Sequence, residues 1–208
     1  AVSVAVAPAF LRVRWFCSVM TDDALFVGVA YCDGGWLAAA FDASGFAHAD
    51  VFAGIGEIWG RYEEVAERIL VNVPIGLVDS GTAPRPCEEA ARAVLGPRAT
   101  AVTDPPVREA ARKRRYPAAS RVNERKADRR LSQVAVAISD GILAVDELLQ
   151  EVSEARPVFA EAHPEVCYRA FAGTTLEREK RTAGGYAERM RALVTFTRDA
   201  PPVGQECA

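Results

Sequence analysis

The sequence predicts an α/β fold, a mixed sheet made of a three-strand meander plus parallel strands and flanked by helices. Three observations carry that expectation. Residues 25–32, 36–42 and 46–52 are short apolar runs separated by "DGG" and "DASG"; they read as consecutive antiparallel strands joined by tight turns. Helical periodicity begins directly after them. Further apolar runs then alternate with helical patterns, and strands that run the same way need such crossovers between them.

The elements follow in order. Ile55, Ile58, Trp59, Tyr62, Val65, Ala66 and Ile69 recur at spacings of three and four, which predicts a helix over 55–69 with Glu63, Glu64, Glu67 and Arg68 on its outer face. "ILVNVPIGL" (69–77) lacks alternation and reads as a strand buried on both faces. Pro74 ends it, and Gly76 permits a sharp bend. Pro86 suits the first turn of the next helix and Gly96 its close. One long helix is expected over Leu131–Val152, with Val134, Ala135, Ile138, Ile142, Val145, Leu148 and Leu149 in its apolar stripe. "RPVFAEAHPEV" reads as a last strand leading into a helix at Pro164, and a final helix is expected over about 183–197. Three strands, helix, strand, helices, strand, helix is the element order of an RNase-H-like fold.

Bulk properties narrow the classes. The 208 residues are half apolar, enough for one domain with a sizeable core. Residues 1–19 are apolar, but no charge precedes the apolar part and Arg12 and Arg14 interrupt it, unlike a signal peptide. Met20 then opens "MTDDALFVGV". The expected organisation is a non-native or disordered extension over 1–19, a single domain over 20–199 and a loose tail over 200–208. The five cysteines form no C-x-x-C pair, which argues against a disulfide framework or zinc knuckle and for a reducing cytoplasm. No apolar run reaches the length of a membrane-spanning helix. Two histidines are too few for a histidine-rich metal site.

The net charge of −3 hides an asymmetry: residues 108–130 hold ten Lys/Arg against three Asp/Glu, so this segment carries +7 and the remainder −10. Arg112, Lys113, Arg114, Arg115, Arg125 and Lys126 within it are the candidate contacts to a nucleic-acid backbone. The competing reading is a solvated, mobile connection. Tyr116 is its single aromatic residue, so stacking on single strands gains little support.

Polar groups gather at three expected strand ends: Asp33 in the first turn, Asn72 and Asp79 in "VNVPIGLVDSG", and Glu161, His163 and Glu165 in "EAHPEV". Converging carboxylates suit Mg²⁺ or Mn²⁺, which take hard oxygen ligands. Two such ions about 4 Å apart clamp a phosphodiester for attack by water. Each residue also has a plainer reading. Asp33 and Asp79 suit turns, Glu165 suits the first turn of a helix, and Lys180, a candidate for a phosphate or a developing negative charge, suits a solvated surface. Asn72 inside an apolar run must find a hydrogen-bond partner, whatever its role.

Taken together, "VGVAYCDGGW", "VNVPIGLVDSG", "PCEEAARAVLG", "DPPVREA", "LSQVAVAI", "VDELL", "EAHPEVCYRAFAG" and "KRTAGGYAERM" resemble the predicted RNase-H-like nucleases grouped as domain of unknown function 429. They run in the family's order from about Phe26 to Leu193. The resemblance implies an RNase-H-like sheet with an acidic metal site and metal-dependent phosphodiester hydrolysis. Glu161, His163, Glu165 and Lys180 match the family's pattern and take the catalytic roles; Glu165, with Asp33 and Asp79, would rebuild the metal site. Two departures stand out. Ala30 takes the place of the first-strand acid, with Tyr31 in place of a glycine, and Asn72 replaces the acid of the later strand. Two functions therefore stand side by side: a Mg²⁺- or Mn²⁺-dependent nuclease, or a catalytically inactive protein of the same fold that binds nucleic acid or another partner.

Overall fold

The computed structural model describes residues 24–32 and 34–195. The expectations for residues 1–19, for Asp33 and for the tail lie outside the described residues. Five strands form one sheet in the order β3-β2-β1-β4-β5. The first three are β1 (Leu25–Cys32), β2 (Gly35–Asp42) and β3 (Gly45–Phe52), paired antiparallel as expected. After α1 (Ile55–Tyr62), β4 (Ala66–Val71) pairs parallel to β1. The chain continues through α2 (Pro86–Leu95), α3 (Arg108–Ala111), α4 (Tyr116–Ala127), α5 (Gln133–Ala137) and α6 (Ser139–Glu151). Strand β5 (Phe159–Glu161) then pairs parallel to β4, and α7 (Pro164–Ala172) and α8 (Ala183–Leu193) end the described chain.

The core lies on one face of the sheet. Val27 and Val29 of β1 stand beside Ala40 and Ala38 of β2 and Ile69 and Val71 of β4, all buried. Ile58 and Tyr62 of α1 and Ile142 and Val145 of α6 complete this cluster. Each fully buried side chain of this size contributes about 1.5–3 kcal/mol.

Two helices end sooner than their periodicity predicts. The helix expected over 55–69 stops at Tyr62, and Ala66 and Ile69 belong to β4. Ile69 and Val71 are buried while Arg68 and Leu70 are exposed, so a period of two prevails over 3.6. Pairing with β1 decides this: the Leu25 N–H donates to Val65 O at 2.9 Å, the first rung of a ladder that a helix could not supply. Nor is β4 buried on both faces, since Leu70 is 39% exposed. The strand also ends at Val71, three residues before Pro74. The helix expected over 131–152 is two helices, α5 and α6, broken at Ile138 (φ −98°, ψ 4°). Ser139 Oγ donates back to Ala135 O at 2.8 Å across the break, and Val134 lies outside the apolar stripe, exposed.

The basic segment is an ordered helical unit rather than a loose connection. Val107, Ala110, Ala119, Val122, Ala127, Leu131 and Ala135 form a second small core beneath it. Asn123, fully buried, ties it together: its Oδ1 accepts the Val107 N–H and its Nδ2 donates to Arg129 O, both at 2.9 Å.

Candidate functional site at the carboxyl ends of the parallel strands

Strands β1, β4 and β5 run parallel, so their carboxyl ends share one edge of the sheet. Val29 pairs with Val71, and Val71 with Glu161, which brings Ala30, Asn72 and Glu161 to that edge. The pleat separates them. Glu161 shares the register of Val29 and Val71 on the core face, whereas Ala30 alternates onto the face of Gly28 and Leu70.

Asn72 is used by the backbone. Its main-chain N–H donates to Val29 O at 3.0 Å, and its Oδ1 accepts the Tyr31 N–H at 2.9 Å. An uninterrupted parallel ladder sends the Tyr31 N–H to the main-chain carbonyl of Asn72. Here the side chain accepts it, as β4 ends and the chain turns towards Pro74 and Gly76 (φ +81°).

Glu161 belongs to an arginine-centred knot. Its Oε2 accepts the Ile75 N–H at 2.9 Å, and both its oxygens lie 3.0–3.1 Å from Arg85 Nη2. Arg85 precedes α2 and donates from Nε to both Glu88 oxygens at 2.9 and 3.0 Å, and from Nη1 to Ile75 O. The Arg85 and Glu88 side chains are 10% and 5% exposed. Burial pulls the Arg85 guanidinium down, but its hydrogen bond to Glu88 and the charges of Glu161 and Glu88 hold it above its ordinary range. Cys87 Sγ lies 3.5 Å from Glu88 Oε2, and burial pushes its thiol up.

Glu165 is spoken for by a different arginine. Arg189 of α8 meets it in a fork, with Nη2 at 2.6 and 2.8 Å from the two oxygens and Nε at 3.2 Å. The side chains are 9% and 11% exposed. Arg189 also donates to Gly185 O at 2.9 Å, and its guanidinium carbon lies 5.6 Å from the Tyr168 ring centre. Glu165 sits in the first turn of α7 but caps nothing; it clamps α7 to α8. His163, at the N-cap of α7, has Nε2 3.3 Å from Ala101 O, while its buried Nδ1 has no hydrogen-bond partner. Lys180 is exposed. Asp79 is largely exposed and pairs with Arg108 at 3.2 Å. Arg108 in turn donates to both oxygens of buried Asp146, at 2.8 and 3.0 Å. That hydrogen bond comes first among the causes that raise the Arg108 pKa.

Glu165, Glu161 and Asp79 therefore have separate arginine partners and form no shared ligand set. Among the described residues, a group of three His, Cys, Asp or Glu side chains with donor atoms within 4.8 Å of one another is formed by Cys87, Glu88 and Glu161. Arg85 already bonds to both of its carboxylates. Of the positions expected to hold Mg²⁺ or Mn²⁺, the described ones, Glu165 and Asp79, are each paired with an arginine, as is Glu161. At the two replaced strand positions, Ala30 has no donor and Asn72 Oδ1 carries the Tyr31 N–H. Sequence reading missed Arg85, Glu88, Asp146 and Arg189. The Arg85-x-x-Glu88 spacing was the one local signal; the other partners lie too far apart in sequence to be paired by eye.

The basic unit divides into paired and unpaired cations. Arg125 and Lys126 both reach Glu109, at 3.2 and 2.8 Å, and the Lys126 hydrogen bond holds the Glu109 carboxyl below its ordinary range. Arg129 pairs with Asp104, and Arg130 with Glu124. Arg112, Arg114 and Arg115 are exposed in the turn between α3 and α4 and form no salt bridge among the described residues; the half-buried Lys113 between them acts through its charge on Glu109, helping to lower that carboxyl. Lys113 and Arg114 line a cleft of about 440 Å³ with Val136, Ser139 and Asp140. The Tyr31 ring lies against Gly141, so this end of α6, and the cleft beside it, adjoin the carboxyl end of β1. The Tyr116 hydroxyl donates to Leu131 O at 3.0 Å, a structural use of that aromatic residue.

Among the described residues, no helix is long and apolar enough to cross a membrane. No curated protein and no solved structure matches the chain. Residues 28–207 match the family model described as protein of unknown function (DUF429).

Proposed function

The chain belongs to the DUF429 family, and we propose that it is a catalytically silent member with an RNase-H-like sheet that binds nucleic-acid phosphates in the cytoplasm. The observation that carries this reading is the exposed trio Arg112, Arg114 and Arg115, which form no salt bridge among the described residues, beside a cleft at the carboxyl edge of the sheet. Unpaired cations on an ordered scaffold gain most from neutralising phosphates, because no internal ion pair has to break first. The silence follows from the acids. Each carboxylate expected to bind metal within the described residues is engaged by an arginine, and the two strand positions are Ala30 and Asn72.

The test is binding to labelled single- and double-stranded DNA and RNA across a salt series. With three or four phosphates neutralised, the log–log salt slope should be about −3 on duplex DNA, and Arg112→Ala/Arg114→Ala/Arg115→Ala should flatten it towards zero. Binding that stays tight at high salt would count against the reading. In parallel, the parent chain should cleave none of these substrates with Mg²⁺ or Mn²⁺. Cleavage that Glu165→Gln abolishes would overturn the silent assignment in favour of a nuclease.

A further inference from the structure

The sheet has a second face, and among the described residues no helix covers its centre. Gly28 lies midway along β1, the central strand, and is exposed; a methyl group built there meets only Ala39 O, at 4.0 Å. Leu70 beside it is 39% exposed and Val51 on the edge strand 70%. The register puts Ala39, Gly28 and Leu70 side by side across this face, and Val51, Leu37 and Ala30 in a neighbouring row. Parallel strands are ordinarily covered on both faces, and a face left to water ordinarily alternates to polar residues. This one does neither. Its charged residue, Arg68, donates its guanidinium to Pro157 O.

We propose that this open face docks a second copy of the chain, sheet against sheet. Two arguments select that occupant. The first is charge. A two-fold interface brings the same patch onto itself, so any charge near the axis meets its like. A face whose middle is Gly28, Ala39, Leu37 and Leu70 meets no such penalty, and it offers nothing to a charged partner. The second is area. Five strands spaced about 4.8 Å apart and rising about 3.3 Å per residue give a face of about 500 Å², or about 1,000 Å² for a pair. That reaches the lower bound for a specific interface.

Sedimentation velocity of the full chain over about 1–100 µM should show a monomer–dimer equilibrium. Val51→Lys, at a 70% exposed position of the edge strand, should weaken the dimer about tenfold or more with an unchanged circular dichroism spectrum and melting temperature. Leu70→Arg, at the centre, should abolish it; Val51→Ile should keep it. A parent chain that stays monomeric throughout, or a dimer that survives both charged substitutions, overturns the proposal. So does a monomer that becomes a dimer only when residues 1–19 are removed, because that result assigns the face to the chain's own first residues.

Discussion

Asn72 Oδ1 accepts the main-chain N–H of Tyr31 at 2.9 Å and so carries the β1–β4 ladder one rung past the end of β4. The role belongs to a side-chain oxygen, and aspartate supplies one too. Asn72→Ala leaves the Tyr31 N–H without its partner and should cost about 1–3 kcal/mol in urea denaturation. Asn72→Asp should stay within about 1 kcal/mol of the parent. An alanine variant as stable as the parent would refute the structural role.

Tyr31 also presses on the helix above it. A methyl group at Gly141 would come 2.6–2.9 Å from three Tyr31 ring carbons, so glycine makes room for the ring. Gly141→Ala should cost about 1–3 kcal/mol through overpacking. Adding Tyr31→Gly should recover part of that loss, a coupling that a double-mutant cycle reads directly. Independent, additive losses would mean that the ring does not rest there.

The Glu165–Arg189 fork is a structural clamp. Arg189→Leu strands a buried carboxylate and should cost about 3–5 kcal/mol. The double variant Arg189→Leu/Glu165→Leu should lose much less, because neither charge is left alone. If the double variant is as unstable as the single one, the pair does not hold α7 to α8 as described.

Cys167 provides a prediction in pH. Burial pushes its thiol up in the folded protein. Keeping the thiol neutral therefore contributes stability that is complete below the unfolded thiol's pKa, about 8.5, and is lost as pH rises through the higher folded value. Alkylation of Cys167, followed by peptide mass spectrometry between pH 7 and 10, should reach half its maximal rate above about pH 8.5. Half-maximal labelling at or below that pH would contradict the burial.

The apolar patterning and turn residues of the chain determined the mixed sheet, the meander and the helix starts at Pro86 and Pro164, because these follow from local sterics and period. The Gly184–Gly185 pair was visible but not explicable. Thr182 caps α8 by accepting the Gly185 N–H at 3.0 Å, and a methyl group at Gly185 would lie 1.9 Å from Glu179 O, a contact set by how the preceding loop folds back. Local spacing failed where two periods fitted the same residues: Tyr62, Val65, Ala66 and Ile69 satisfy a helix, and only pairing with β1 turns the last two into strand. The site was legible as a set of polar residues at strand ends, and tertiary structure alone decided what each one does. Glu161, Glu165 and Asp79 are separated from Arg85, Arg189 and Arg108 by 24 to 76 positions. An acid's charge is written in the sequence, but whether that charge is free for a metal or consumed by an arginine depends on which distant side chain folding brings within about 3 Å.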